Sequence, residues 1–349
     1  MMNKLMQSLK PAGMLLLLVF LYPACEKEEE SSLDESLIIV KSSGDSYAIV
    51  SPATGDILQD VKPGILPDQF SCAHLGYRSE KVILLAKEPE GSYVKVIYTC
   101  DRETGDNITA ITTKDQWDIQ SLSPSLTSSK IVFHGHPADG GEDQSNLFTI
   151  NLDGSGLQQL TQNREPVEGV ELWWPGKPSW SPDGRQIAFL GTMRTPDPGG
   201  IWWGKAIIVM NADGDNKQIL YNEPDSNSGN HYDISWTKDG KFLIFLTSEH
   251  YSNPSNRVKV LNTENGDITD ITVGLLVDGK HTTNICTAPD TEKIIFNKYE
   301  PGGGDLHEIN YQITEEGEFQ LIGTPATKCR VSNGGTQFGS PHWQWFSAN

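Results

Sequence analysis

The stretch Pro178-Ser179-Trp180-Ser181-Pro182-Asp183-Gly184-Arg185-Gln186-Ile187-Ala188-Phe189 decides the fold class, because it is one unit of a repeat that fills the chain. A Trp-bearing segment precedes an Asp-Gly pair, and an apolar run follows. Asp-Gly between apolar runs is a strong hairpin signal, since Gly accepts the positive φ of a tight turn. A second apolar run and a second turn, Asn211-Ala212-Asp213-Gly214, come next. The unit therefore predicts four consecutive antiparallel strands.

The same order of elements recurs along the chain. Ser235-Trp236-Thr237-Lys238-Asp239-Gly240 opens the next copy downstream. Degenerate copies are built around three further apolar runs, Lys81–Ala86, Lys130–Phe133 and Ile294–Phe296. Four strands per repeating unit is typical of a propeller, whereas a helical solenoid would show amphipathic helix patterns.

The two ends of the chain together supply a sixth unit. Leu37–Val40, Tyr47–Val50 and Ile57–Val61 resemble the last three strands of a unit, and Ser340-Pro341-His342-Trp343 repeats its opening pattern. We therefore predict an all-β, six-bladed β-propeller of four-stranded blades. Pairing of the C-terminal strand with the N-terminal blade would leave no terminal inner edge unpaired. Two stacked β-sandwiches are the alternative.

These motifs resemble the TolB-like six-bladed propellers, whose repeat reads Trp-Ser-Pro-Asp-Gly, an apolar strand and Asn-x-Asp-Gly. The resemblance covers residues 36–346 and is most specific in the unit that contains Trp180. It implies one propeller domain over that range. The segment ahead of Leu37 is too short for the small N-terminal α/β domain of TolB itself, so we expect the propeller without that domain.

Residues 1–24 have the pattern of a secretory signal peptide, in which Lys4 and Lys10 precede a short apolar core. The segment Leu21-Tyr22-Pro23-Ala24-Cys25 resembles a bacterial lipobox, which implies a lipidated Cys25; an ordinary cleaved signal and a transmembrane anchor are the alternatives. Residues 25–35 then form an acidic tether. We expect a bacterial outer-membrane lipoprotein, facing the periplasm or the cell surface, that touches the membrane through its lipid anchor only.

Composition restricts the partners. A formal net charge of −19 argues against a nucleic-acid partner, because broad phosphate binding needs a basic surface. Four cysteines remain besides Cys25, and their scattered positions favour isolated thiols over a disulfide framework: Cys72, Cys100, Cys286 and Cys329. The chain has no Gly-x-Ser-x-Gly nucleophile elbow and no phosphate-binding motif.

Function is expected on one face of the propeller. The second-to-third and blade-to-blade connections are long and emerge together, so we call that end the long-loop face. Its aromatic and histidine residues suit stacking on sugars or hot spots for a protein partner. The predicted ligand-binding residues are Trp173, Trp174, Trp202, Trp203, His231, Tyr232, Tyr251 and His281. The alternative for each Trp pair is that one ring packs over the blade below.

A metal site is a weaker hypothesis. His134 and His136 alternate along a predicted strand, and Asp139 follows within a short loop, so the three could supply ligands; a solvated acidic loop is the alternative. We expect no other cofactor. The leading hypothesis is a non-catalytic scaffold that binds an envelope protein on the long-loop face. The alternative is a glycan-binding or polysaccharide-processing propeller with lyase-like, metal-assisted chemistry.

Overall fold

The computed structural model describes residues 37–41, 46–63, 70–75, 80–87, 94–113, 115–141, 144–194, 202–222, 231–250, 253–276, 282, 284–298, 305–329 and 341–344. Backbone alone is described at 40–41, 70–72, 75, 202–203, 231–232, 248–250, 253–256, 329 and 341–344. All of these residues belong to one compact unit, within Asp34–Asn349. The predicted signal peptide, lipidated Cys25 and tether lie outside the described ranges.

The described chain forms six antiparallel sheets, which we number as blades 1 to 6. Blade 1 contains β1 (Leu37–Lys41), β2 (Tyr47–Val50), β3 (Ile57–Val61) and the C-terminal β25 (Pro341–Gln344). Blades 2 and 3 contain β4 (Phe70–Leu75), β5 (Lys81–Lys87), β6 (Lys95–Asp101) and β7 (Thr109–Ala110), then β8 (Trp117–Pro124), β9 (Lys130–Pro137), β10 (Asn146–Asn151) and β11 (Gln158–Gln159). Blade 4 contains β12 (Pro166–Val167), β13 (Val170–Trp180), β14 (Gln186–Arg194), β15 (Trp202–Asn211) and β16 (Gln218–Asn222). Blades 5 and 6 contain β17 (His231–Trp236), β18 (Phe242–His250), β19 (Asn253–Asn262) and β20 (Ile268–Asp270), then β21 (Ile285–Thr287), β22 (Lys293–Asn297), β23 (Leu306–Ile313) and β24 (Phe319–Cys329).

The first strands of the blades form a closed inner ring. Strands β4, β8, β13, β17 and β21 contact one another in that order, and β25 contacts both β21 and β4. Within blade 1, β25 pairs antiparallel with β1, and Ile38 lies opposite Trp343. The predicted six-bladed propeller and its closure by the C-terminal strand are therefore confirmed.

The apolar cores lie between neighbouring blades. The second strand of four blades carries a fully buried Phe at the same point of the repeat, and these residues are Phe133, Phe189, Phe245 and Phe296. Alternate residues of one strand serve different cores, because Val132 packs towards blade 4 whereas Phe133 packs towards blade 2. Period-two alternation with both faces buried explains why these strands are nearly continuous apolar runs.

The repeated Ser-Pro-Asp-Gly motif closes the first hairpin of a blade through its side chains. Ser181 Oγ donates to Asp183 Oδ1 at 2.7 Å and accepts from the N–H of Gln186 at 2.9 Å. In blade 5, Thr237 Oγ1 makes the equivalent bond to Asp239 Oδ1, also at 2.7 Å. Each hydroxyl sits on a short side chain that can reach both the Asp two residues later and the backbone of the turn. This is why Ser or Thr followed two residues later by Asp recurs at this point.

In blade 4, the glycine of the second turn has both a left-handed backbone and a close neighbour in blade 3. Gly214 has φ +96°, and a Cβ there would lie 2.9 Å from the carbonyl O of Leu160 in blade 3. Gly266 occupies the matching turn of blade 5 with φ +79°, but the nearest atom to its Cβ would be 3.7 Å away. We expect Gly266→Ala to cost about 1 to 2 kcal/mol of unfolding free energy, for the left-handed backbone alone. Gly214→Ala should cost at least about 1 kcal/mol more, because it also pushes backbone apart between blades.

Urea unfolding of the two glycine variants and the wild type measures this difference. Equal costs would mean that blades 3 and 4 separate easily at this point, contrary to their close packing.

Several residues that the sequence placed in loops lie in strands instead. Trp173 and Trp174 belong to β13, Trp202 and Trp203 to β15, and His231 and Tyr232 to β17. The hairpin β14–β15 stays paired as far as Arg194 opposite Trp202. Aromatic residues fit a pleated, half-buried surface, so they extend strands past the body of the blade. The prediction of long irregular loops at these points was wrong.

Two further features depart from a uniform four-stranded repeat. The blade 3–4 connection forms β12, which gives the sheet of blade 4 a fifth strand. The only helix in the described ranges is the four-residue α1 (Thr272–Leu275), which follows β20. No helix in that part of the chain is long and apolar enough to cross a membrane.

The cysteines that the structure describes are isolated thiols, as predicted. Cys100 and Cys286 are both buried, and neither is part of a disulfide. The Tyr47 hydroxyl lies 3.9 Å from Cys100 Sγ and donates to the carbonyl O of Arg102 at 2.8 Å, which joins blades 1 and 2. Burial raises the pKa of the Cys100 thiol to about 11, so it stays protonated at neutral pH. The side chains of Cys72 and Cys329 lie outside the described set.

Candidate functional site

A cleft of about 700 Å³ opens on the long-loop face of blade 3. Pro137 and Gln144, from either end of the β9–β10 connection, line one wall, and the segment between β11 and β12 forms the other. Its lining includes the Trp117 and Phe148 rings, the amides of Gln144, Asn146, Gln162 and Asn163, and the carboxylate of Glu165. No cationic side chain is among the described residues that line it. The cleft therefore combines an aromatic base with amide-rich walls that carry one carboxylate.

An aromatic cluster forms the base of the cleft. Trp117 is partly exposed, and its ring centroid lies 4.5 Å from that of Phe148 and 5.6 Å from that of Phe133. Both Phe rings meet the indole at steep angles, 62° and 79°. The two Phe rings are themselves stacked at 5.4 Å. Edge contacts of this kind stabilise ring pairs and hold the indole in one orientation.

The inner wall of the cleft is fixed by hydrogen bonds. Thr161 Oγ1 accepts from the N–H of Leu147 at 2.9 Å and donates to Asn146 Oδ1 at 3.3 Å. Asn146 Nδ2 in turn donates to the carbonyl O of Gln144 at 3.0 Å. Because Asn146, Leu147 and Thr161 are buried and mutually bonded, the wall is pre-formed.

The outer wall is tied to blade 4. Glu165 Oε1 accepts from the N–H of Gln162 at 3.2 Å, and Glu165 Oε2 lies 3.3 Å from Lys217 Nζ. The same segment continues to Asn163, whose Oδ1 accepts the N–H of Trp174 at 3.1 Å. The cleft of blade 3 and the inner strand of blade 4 are therefore neighbours.

The predicted pair Trp173 and Trp174 divides into one packed and one presented ring. Trp173 is 6% exposed, donates from Nε1 to Glu171 at 3.0 Å, and has the Arg164 guanidinium 4.1 Å above its ring. Arg194 lies 5.5 Å from the same ring. Trp174 is 40% exposed and meets Trp173 edge-on at 5.7 Å. Trp174 is thus the ring of this pair available to a ligand.

Backbone geometry displays Trp174 and Lys177 on the inner strand. The register of β13 shifts twice, between Trp173 and Gly176 and between Gly176 and Ser179. Trp174 has φ +46° and Lys177 has φ +50°, conformations that non-glycine residues rarely adopt. Bulges re-aim side chains, and strain of this kind collects at functional sites.

Lys177, on the inner strand of blade 4, acts on one titrating group in each neighbouring blade. Asp233 on β17 accepts the N–H of Ile285 at 3.1 Å and that of Ile234 at 3.2 Å. Burial raises the pKa of the Asp233 carboxyl to about 6, although the positive charge of Lys177 opposes the shift. Burial also lowers the pKa of His134 to about 4, and Lys177 adds to that effect. One exposed lysine thus acts on two enclosed titrating groups.

The hypothesised metal ligands have other contacts. His134 packs against Gly176, and a Cβ added to Gly176 would lie 3.2 Å from His134 Nδ1. The buried Nε2 of His134 has no hydrogen-bond partner among the described residues. His136 Nε2 lies 3.7 Å from Asp118 Oδ2 instead. Asp139 is exposed. Within the described ranges, no three His, Cys, Asp or Glu side chains lie close enough to hold a metal ion.

The other predicted site residues receive no side-chain placement. The side chains of Trp202, Trp203, His231 and Tyr232 are outside the described set, and Tyr251 and His281 are outside it altogether. Their role therefore stays a prediction.

Sequence reasoning missed the cleft itself. Trp117, Gln144, Gln162 and Glu165 were not predicted as site residues, and neither was Asp233. Trp117 lies before the sequence motif that recurs in each blade. The repeat therefore does not show that the inner strand of blade 3 begins as early as Trp117. The signal that was present is a lone Trp next to a blade boundary, opposite a loop rich in amides.

Comparison with known proteins establishes the fold. No protein-family model matches the chain, and no curated protein matches it. Hydrazine synthase of Kuenenia stuttgartiensis matches with a TM-score of 0.61 at 13% identity, over 91% of this chain and 48% of that one. A chain of a nidogen/laminin complex matches with a TM-score of 0.57 at 8% identity, over 90% and 100%.

A putative TolB from Agrobacterium tumefaciens also matches, with a TM-score of 0.53 at 13% identity, over 90% of this chain and 99% of that one. These identities are too low to transfer an activity, since one propeller scaffold serves many unrelated functions. The chain is a six-bladed β-propeller with a TolB-like fold.

Proposed function

We propose that this chain is a non-catalytic scaffold of the bacterial envelope that binds a protein partner on its long-loop face, centred on Trp174. The observation that carries the proposal is an exposed indole fixed on the inner strand of blade 4. Trp174 is 40% exposed, its N–H is held by Asn163, and its ring rests against the buried Trp173.

The surroundings of Trp174 have the composition of a protein-binding hot spot. Trp and Arg are among the side chains most enriched at such points. Arg164 and Arg194 both lie against the ring of Trp173, the neighbour of Trp174. A ring that is already oriented loses little conformational entropy when a partner covers it. The left-handed backbone of Trp174 fits the same interpretation, because binding is a function for which evolution tolerates local strain.

The sequence supports an envelope location for this scaffold. A signal peptide over residues 1–24 and a lipid on Cys25 would anchor the chain, and the acidic tether would separate the propeller from the bilayer. In this proposal, the anchor is the only contact with the membrane, and the partner is another envelope protein.

Replacing Trp174 tests the proposal. We expect Trp174→Ala to weaken partner binding at least roughly 30-fold, because a hot-spot side chain contributes about 2 kcal/mol or more. Stability should change little, since the ring is substantially exposed. The matched control is Leu157→Ala, because Leu157 is 48% exposed but lies in the β10–β11 turn at the opposite end of its blade.

A photo-crosslinking residue at position 174, in the full chain in intact cells, identifies the partner for that measurement. One protein captured at 174 and not at 157 supports the proposal. Equal capture at both positions, or capture of polysaccharide alone at 174, would contradict it.

A further inference from the structure

We infer that the cleft of blade 3 is a second binding site, which takes a neutral carbohydrate the size of one or two sugar rings. This inference goes beyond the proposed protein-binding function, because it assigns a different ligand class to a different set of side chains. Three properties of the cleft lead to it: its aromatic base, two amides that bond no other described residue, and the absence of Lys, Arg and His from its described lining.

The aromatic base offers a stacking surface. Trp117 is partly exposed in the cleft, and neither Phe148 nor Phe133 lies parallel to its ring. The C–H face of a pyranose is apolar and buries well against an indole, which supplies a large contact area. The contacts with the two Phe rings orient Trp117 in advance, so stacking requires no rearrangement of the base.

The walls offer paired donors and acceptors. The side chains of Gln144 and Gln162 are exposed on opposite walls, and neither amide makes a hydrogen bond with another described residue. Each amide provides two donors and one carbonyl acceptor. Sugar hydroxyls also donate and accept at one atom, so adjacent hydroxyls match an amide in both directions. Asn146, by contrast, is bonded to Thr161 and to the Gln144 carbonyl and serves to fix the wall.

Charge selects a neutral sugar. The described lining has no Lys, Arg or His, and its one ionised group, Glu165, is already placed against Lys217. The whole chain carries a net charge of −19. A uronic acid or a phosphorylated sugar would meet the Glu165 carboxylate, and the Lys217 ammonium beside it is already paired with that carboxylate. A volume of about 700 Å³ is also that of a small-molecule site.

The test is titration of the full chain with methyl glucoside, methyl galactoside, methyl mannoside and cellobiose, using calorimetry and saturation-transfer NMR. Galacturonate is the charged comparison. We expect saturable one-to-one binding of at least one neutral sugar and none of galacturonate. Gln144→Ala and Gln162→Ala should each weaken that binding about 3- to 10-fold, which is the loss of one hydrogen bond.

Two further variants make the result specific. Gln186→Ala, at an exposed glutamine beside the first turn of blade 4, should leave sugar affinity unchanged. Trp117→Ala removes a partly buried ring, so Trp117→Phe is measured as well; it keeps an aromatic base of smaller area and should weaken binding less than Trp117→Ala. Melting curves of both variants separate loss of the site from loss of the fold.

The outcomes are decisive in either direction. Absence of saturable binding by every neutral sugar in the panel overturns the inference, and so does binding that the glutamine variants leave intact. Preference for galacturonate, or occupation of the cleft by a peptide, overturns it too. The crosslinking readout at position 174 is independent: partner capture without sugar binding defeats this inference alone, and sugar binding without partner capture defeats only the proposed function.

Discussion

Deleting residues 340–349 should destabilise the whole propeller by more than about 4 kcal/mol, a large share of the stability of an ordinary domain. The deletion removes β25, the inner strand of blade 1. Strand β1 then loses its ladder from Leu37 to Val40 and becomes an edge at the centre of the ring. Ile38 and Ile39 are fully buried and belong to the cores on either side of blade 1, so both cores open to water.

Guanidinium unfolding monitored by circular dichroism and by Trp fluorescence measures this effect. The matched control ends at Trp345, which removes only residues 346–349 and keeps β25. We expect the control to unfold in one transition near the wild-type midpoint, and the longer deletion to unfold earlier with transitions that differ between the two probes. A longer deletion with an unchanged single transition would show that ring closure contributes little to stability.

Two enclosed titrating groups should give opposite pH dependences that nearly cancel in the wild type. The folded pKa of Asp233 is about 6, above its ordinary 3.8, so its contribution is present below pH 3.8 and is lost as the pH rises through 6. The folded pKa of His134 is about 4, below its ordinary 6.5, so its contribution is present above pH 6.5 and is lost as the pH falls through 4. Between about pH 4 and pH 6, the contribution of Asp233 to the unfolding free energy falls with rising pH, and that of His134 rises.

Single variants separate the two slopes. Asp233→Asn removes the falling contribution, so its unfolding free energy should climb between pH 4 and 6 relative to the wild type. His134→Gln removes the climbing contribution, so its free energy should fall over the same range. Each change should reach about 2 kcal/mol, less than the full equivalent of the pKa shift because both side chains are partly reached by water.

Urea unfolding at half-unit pH steps measures these slopes, and the double variant Asp233→Asn, His134→Gln is the control. Its pH profile should follow that of the wild type, since the two opposite contributions are removed together. Single variants whose pH profiles both follow that of the wild type would mean that the two groups titrate in the folded chain as they do in the unfolded one.

Local chemistry explains why the sequence predicted so much of the fold. The hairpin turns depend on residues a few positions apart, such as Ser181 with Asp183 and Thr237 with Asp239, so they leave a motif in the chain. The buried Phe in the second strand of four blades recurs at a fixed distance from the first turn. Closure by β25 was also predictable, because an incomplete unit at one end matched an extra strand at the other.

The sequence alone determined the all-β repeat, the six blades and the pairing of the two chain ends, because each depends on local turns and on the period of the apolar runs. Only the tertiary structure decided which side chains meet. Two bulges present Trp174 and Lys177, a long inner strand brings Trp117 to the cleft, and Lys177 acts on both Asp233 and His134 from the blade between them. The physical reason is that strand length, bulges and blade-to-blade packing arise from contacts between residues far apart in the chain, which no short motif records.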